Sequence, residues 1–323
     1  MSDLRLGLTI FGVIALIGLS APLWAPYDAN EQVDPLGGRL RPPLTSLDVV
    51  RLHDGRSYLA DEVVVDGDEI IIDRRGRIDR IELKRVANLS SDGTGVTERH
   101  RFLLGSDLLG RDVLSRWAIG AHISLLIGIL SVALAMTVGV LVGAMAALGP
   151  RWVDGLLMRG VDGLLAFPTI FLLLAIAAVA PRGTWVLILL LGGTGWMGVS
   201  RLARAEISSL AQRDFVLAAR GLGATETRIL FRHILPNVFT PLLVAATFRI
   251  GSTILAEAAL SYLQLGVEAP DPSWGNMISA GRDVLSDAWW IASFPSLGLI
   301  FTVASVTFVA DGFRDALDPR HVS

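Results

Sequence analysis

The sequence contains no cysteine and a single lysine, Lys84, and each absence excludes a kind of chemistry. Without cysteine there is no disulfide scaffold, no thiolate nucleophile and no Cys-ligated metal site. Lys84 stands between Leu83 and Arg85, so no Walker A loop with its phosphate-binding lysine exists, and any ATP must be bound by a partner. Charge is scarce too: Asp, Glu, Lys and Arg make up 18% of the 323 residues, against roughly a quarter in an ordinary soluble domain. The hydrophobic share is 52% and the mean hydropathy is +0.56. A formal net charge of -3 and a pI near 6.0 supply no basic field for nucleic acid. His53, His100, His122, His233 and His321 are scattered, and neither H-E-x-x-H nor G-x-S-x-G occurs. No catalytic residue, cofactor or metal is therefore assigned.

What is present is lipid-compatible length. A helix crossing about 30 Å of hydrocarbon needs roughly 20 apolar residues, and six stretches qualify. They run from Leu6 to Trp24, between Arg116 and Arg151, between Asp162 and Arg182, between Arg182 and Arg201, from Pro236 to about Leu263, and from Ala288 to Ala310 with a kink at Pro295. The third and fourth are separated by Pro181-Arg182-Gly183, which predicts an antiparallel pair. The first also reads as a cleaved signal peptide, but its apolar run is longer than usual and Pro22 and Pro26 suit a helix end better.

Arginines set the orientation. Arg201, Arg204, Arg213, Arg220, Arg228 and Arg232 crowd residues 201–237, and Arg151, Arg159, Arg314 and Arg320 agree with a cytoplasmic side for that loop and both termini. Residues 25–116 then lie outside, too polar for lipid. Within them Val63-Val64-Val65 and Ile70-Ile71-Ile72 flank Asp66-Gly67-Asp68-Glu69, a hairpin signal. With turns at His53-Asp54-Gly55-Arg56 and Arg74-Arg75-Gly76-Arg77, Leu47 to Val86 read as a β meander. Asp66, Asp68 and Glu69 need no cation, since turn chemistry explains them.

Gly193-Thr194-Gly195-Trp196-Met197-Gly198 satisfies the G-x-G-x-x-G dinucleotide pattern, with Asp214 downstream. Its flanks are membrane spans rather than the βαβ units such a fold requires, so the glycines are read as places where another helix approaches closely.

Residues 201–237 are the most informative. Asp214 is placed as a helix cap, Phe215, Val216, Ala218, Ala219 and Leu222 as an apolar stripe, and Gly221 and Gly223 as the stop. Thr225 caps a second helix, with Glu226 in its first turn and Pro236 ending it. Two short amphipathic helices fit a groove on a soluble partner or lie on anionic lipid through their arginines; the residues alone leave both open.

The run D-F-V-L-A-A-R-G-L-G-A-T-E-T-R-I-L-F-R-H-I-L-P-N, Asp214 to Asn237, resembles the coupling loop of permease subunits in binding-protein-dependent ABC importers. That pattern is E-A-A, three residues, Gly, nine residues, I-x-L-P. Ala218, Ala219, Gly223 and Pro236 match, whereas Leu217 replaces the Glu and His233 an apolar residue, as in the dipeptide, oligopeptide and nickel branch. Leu104 to Arg116, Ala256 to Met277 and Asp311 to Arg320 resemble that branch as well. The β-rich insert, about residues 36–98, is not explained by it.

Together with the six spans, the resemblance implies an all-α integral membrane protein of six transmembrane helices in a bacterial-type inner membrane, to which the residues themselves add a small β-rich extracytoplasmic insert. Its parts are a first helix (1–24), an extracytoplasmic segment (25–116), a five-helix permease core (117–311) containing the coupling loop, and a cytoplasmic tail (312–323). It also implies a pathway half for peptides, with nickel or another small solute as alternative. The partners would be a second homologous permease, two ATP-binding cassette subunits and an extracytoplasmic binding protein. ATPase coupling falls to Asp214, Phe215, Ala218, Ala219, Arg220, Gly221, Gly223, Arg232, His233 and Pro236. A non-transporting membrane scaffold is the reading from another class.

Arg249 and Glu257 lie inside the fifth span, where an ionisable group costs roughly 2.5 to 3.5 kcal/mol and faces protein or water. At about 80° apart around an ideal helix they do not pair readily. Both are placed on the translocation pathway, Glu257 toward a cavity or partner span, with a structural hydrogen-bonding role as its alternative. Gly105, Asp107, Gly110, Arg111 and Asp112 read as a turn and cap for the second span or as a contact with the delivering protein. The insert reads as a docking surface or a tolerated elaboration, and Trp289 and Trp290 as interfacial anchors.

Overall fold

A computed structural model describes residues 2–90 and 95–317. Arg320, His321 and the end of the Asp311 to Arg320 motif lie outside the described residues. The chain divides into two compact units, one of Met1–Leu16, Ile123–Glu268 and Leu299–Ser323, the other of Ile17–His122 and Ala269–Gly298.

Among the described residues five helices are long and apolar enough to cross a membrane: α1 (Ser2–Trp24), α2 (Val113–Leu148), α5 (Thr184–Ala211), α8 (Leu235–Tyr262) and α9 (Trp290–Leu317). The third apolar stretch is not one helix. It is shared between α3 (Arg151–Leu165) and α4 (Thr169–Val179), which meet at 81° and count as a sixth span only if taken together. Pro168 supplies the break, because it has no N–H to donate and pushes Phe167 out of the helical region. The 11 residues of α4 reach about 16 Å, half of the hydrocarbon thickness. After the Pro181-Arg182-Gly183 turn, α4 packs on α5 through Leu173, Ala177, Leu187 and Ile188.

Within the first unit glycines set the helix spacing. A Cβ added to Gly139 of α2 would lie 2.5 Å from the Val199 Cβ, one on Gly143 2.7 Å from the Ala203 Cβ, and one on Gly192 of α5 2.7 Å from Leu134. The G-x-G-x-x-G run is continuous helix inside α5; of its three glycines only Gly195 is closely approached, while a Cβ on Gly193 would meet nothing within 4 Å and one on Gly198 nothing nearer than 3.8 Å.

The second unit holds the strands β1 (Thr45–Arg51), β2 (Ser57–Ala60), β3 (Glu62–Asp66), β4 (Glu69–Arg74), β5 (Arg77–Glu82) and β6 (Glu98–Phe102). The hairpin falls where the sequence puts it, pairing Val63 with Ile72 and Val65 with Ile70 across Gly67 at φ +60°. A single meander does not form. The described residues form two three-stranded sheets, ordered β2-β1-β6 and β3-β4-β5, because β6 returns from beyond Val86 to pair with β1. Val50, Leu52, Ala60, Ile70, Ile72 and Val86 form one core cluster. Arg74 is buried between Asp34, at 3.2 Å, and Asp79.

In β6, His100 is buried and stacks on Tyr27 with ring centroids 3.8 Å apart. Burial pulls its pKa down from 6.5 to about 4. As the pH falls the unfolded chain therefore binds the proton first, and stability is lost between those two values and regained above the upper one. Hydrogen exchange of the β1 and β6 amides should show protection falling by up to ~3 kcal/mol between pH 7 and pH 4. His100→Asn should remove that part of the pH dependence.

Candidate functional site

The loop after α5 is built as a rigid elbow. Helix α6 (Asp214–Gly221) ends at Leu222, and Gly223 takes the left-handed conformation at φ +82°. The Ala224 N–H donates to the Ala219 carbonyl at 3.1 Å and the Gly223 N–H to that of Arg220 at 3.0 Å, the paired bonds of a Schellman stop. Arg220 then grips Glu226 through two hydrogen bonds of 2.8 and 2.9 Å, an exchange that raises the Arg220 pKa and lowers that of Glu226. The Thr225 hydroxyl caps α7 (Glu226–Ile229) by accepting from the Arg228 N–H at 3.3 Å.

Two expectations change. Asp214 sits in the first turn of α6, where its charge favours the helix dipole, and no side chain caps that helix. Pro236 does not end the second helix. Residues Leu230–Ile234 widen into a π-helical turn that leads directly into α8, so Pro236 falls at its start. The wider turn relieves the missing proline N–H and the ring's clash with the preceding carbonyls.

Only part of the expected apolar stripe is internal. Val216 is buried with Ile207, Ile229, Ile234 and Val238, while Phe215, Leu217, Ala218 and Leu222 are exposed and Ala219 is half-buried. Asp214, Arg220, Gly221, Gly223, Arg232 and Pro236 are also exposed and His233 is half-buried. The structure thus brings the proposed coupling residues onto one elbow. It adds Leu217, Leu222 and Phe231, large apolar side chains left in the open, which their alternation with Val216 and Ile229 foreshadows. It also adds Arg204, whose Nη2 lies 2.6 Å from Asp154 of α3.

The two intramembrane ionisable residues part company. Glu257, expected toward a cavity or partner span, is wholly buried. Its Oε2 accepts from the Ser124 hydroxyl at 2.8 Å and its Oε1 from that of Ser261 at 2.7 Å. The Ser261 oxygen in turn accepts from the Val267 N–H at 3.1 Å. These bonds tie α2, α8 and the following turn together. Arg249 is half-buried with its guanidinium over Gly195 of α5.

In the second unit the Asp107 carboxylate accepts from the N–H groups of Leu109 and Arg111 and from the Arg111 side chain at 2.7 Å. Asp112 caps α2 by accepting from the Ser115 N–H at 2.7 Å, and burial raises its pKa. Both carboxylates are buried, which is the turn-and-cap reading. Trp289 is exposed, but Trp290 is a core residue rather than an anchor, 4% exposed and donating to the Ser106 carbonyl at 3.0 Å. Among the described residues no group of three His, Cys, Asp or Glu side chains is placed to hold a metal ion.

Residues 139–322 match the family model described as binding-protein-dependent transport system inner membrane component. The chain belongs to this family. A Brucella ovis protein named as a peptide permease is 43% identical over 218 residues, 67% of this chain and 72% of that one. The di/tripeptide transport system permease protein DppC of Pseudomonas aeruginosa is 42% identical over 220 residues, 68% and 73% of the two chains. The inward-facing MetNI methionine ABC transporter shares the fold, with a TM-score of 0.53 at 16% identity, over 63% of this chain and 96% of that one.

As a transport-system inner membrane component the chain is a multi-pass permease rather than an ATPase. The matched region takes in α5 through α8, including the elbow and Glu257, and leaves residues 36–98 outside. Glu257→Ala should therefore cost stability, about 2 to 3 kcal/mol, by stranding two buried hydroxyls. Thermal unfolding in detergent should show that loss, and Glu257→Gln, which keeps one acceptor, should lose less.

Proposed function

We propose that this chain forms half of the membrane pathway of a peptide importer and receives its driving force through the 214–237 elbow. The observation that carries this reading is an exposed apolar surface, Phe215, Leu217, Leu222 and Phe231, on a pinned loop whose two ends run into α5 and α8. An amphipathic helix of this kind fits a groove on a soluble ATPase. Because Val216 and the Arg220–Glu226 bridge fix the elbow, a push on α6 passes to both spans as a rigid-body displacement. The names of the peptide permease relatives supply the substrate class.

On this reading two ATPase subunits dock on the elbows of this chain and of a second, similar permease, and a binding protein delivers the peptide from the opposite face. The arginine-rich elbow and both termini face the cytoplasm of a bacterial-type cell, and the strands of residues 36–98 lie outside. Phe215→Asp with Leu217→Asp should cut recovery of co-expressed ATPase subunits at least about tenfold, since apolar anchors carry most of such an interface. ATP-driven peptide uptake in proteoliposomes should fall with it. Undiminished ATPase recovery and uptake from the double variant would refute the coupling role.

A further inference from the structure

Arg249 sits midway along α8, 14 residues after Leu235 and 13 before Tyr262 by the bounds of that helix, where a charge is most costly in a membrane. It has no ion-pair partner among the described residues. Glu257, the carboxylate of that helix, is hydrogen-bonded to Ser124 and Ser261. The guanidinium lies against bare backbone instead. A Cβ on Gly195 would fall 2.8 Å from its Nη2 and 3.2 Å from its Nε, and one on Gly198 3.8 Å from its Nη1. Gly195 is buried, whereas Gly198 and Ser252 beside the arginine are exposed. One side of the charge is therefore floored by glycine and the other is open.

We propose that Arg249 binds the C-terminal carboxylate of a peptide in transit, the glycines of α5 holding its guanidinium in place; this rests on the peptide-permease reading above. A guanidinium is always charged and its planar fork matches a carboxylate through two parallel hydrogen bonds. The terminal carboxylate is the group that peptides of every sequence share, so one fixed cation serves a carrier whose cargo varies in its side chains. Gly195 makes the placement possible, because any side chain there would displace the guanidinium. Among the described residues no carboxylate pairs with it, so the charge stays available to a passing anion.

The test uses the complete complex, with its second permease and ATPase subunits, in lipid vesicles, and carboxyl-13C alanyl-alanine as the probe. Arg249→Gln should lower ATP-driven uptake at least about tenfold, the worth of a charge-assisted hydrogen bond, with subunit recovery unchanged. Arg249→Lys should recover part of the uptake. Solid-state NMR recoupling between the 13C carboxyl and 15N-labelled arginine should appear in the wild-type complex and vanish in Arg249→Gln. Normal uptake by Arg249→Gln, or no recoupling in the wild type, would overturn the proposal and leave the permease reading standing. Loss of the second permease from the Arg249→Gln complex would also overturn it, assigning the carboxylate to that subunit. Absence of ATP-dependent uptake by the wild-type complex would remove the permease reading itself, and this proposal with it.

Discussion

Helices in a bilayer gain nothing by hiding apolar surface from one another, since lipid tails are as apolar as leucine; what holds them is short-range dispersion and the few polar contacts they share. That constraint makes the glycines of α2 and α5 decisive. Gly139 and Gly143 seat Val199 and Ala203, Gly192 admits Leu134, and Gly195 admits Arg249. Each contact exists only because the glycine carries no side chain, and a methyl group at any of the first three would force the helices apart or the neighbour aside. The core of the first unit follows from this spacing, with Ile127, Leu187, Leu191 and Leu260 closing over the seam.

A seam so close has a mechanical consequence. Packed cores switch between discrete arrangements rather than deforming continuously, so α5 carries its neighbours with it when it moves. On the coupling role proposed above, the elbow transmits to that seam instead of absorbing force. Its inner side is fixed by Val216 and Ile229 under Ile207 and Val238, its bend by Gly223, and its far side by the Arg220–Glu226 bridge. The π-helical turn at Leu230–Ile234 carries the chain past Pro236 without a break, so α7 and α8 act as one lever rather than two hinged rods. Arg204 paired with Asp154 adds a tie to α3 at the base of α5.

Much of this was legible in the residues. Charge spacing locates five continuous helices, Asp-Gly between β-branched runs locates the β3–β4 hairpin, and the glycine run is helix, closely approached at Gly195. What escaped was set by long-range contact. Strand β6 pairs with β1 across more than forty intervening residues, and nothing in its own composition names that partner. Pro168 broke a stretch whose apolar composition alone reads as a span. Pro236 reads locally as a helix stop, and only the widened turn before it lets the helix continue. Trp290 looks like an interfacial anchor beside Trp289, yet Gly105 leaves room for its ring against the backbone and the Ser106 carbonyl accepts its N–H. The Asp107 and Asp112 turn was readable because its hydrogen bonds are local.

Glu257 and Arg249 show where reading by residue type stops. Both are ionisable, both lie on α8, and hydropathy treats them alike. The difference lies in what the neighbouring helices offer. A carboxylate can be satisfied by hydroxyl donors, and Ser124 and Ser261 are such donors at positions packed onto it, so Glu257 is absorbed into the core. A guanidinium needs acceptors, and among the described residues that of Arg249 makes no ion pair and no side-chain hydrogen bond. Glycines give Arg249 room without giving it a partner. An acid among serines is thereby made structural, while a base among glycines keeps its charge unspent, and the distinction comes from the chemistry of the neighbours rather than from the charge itself.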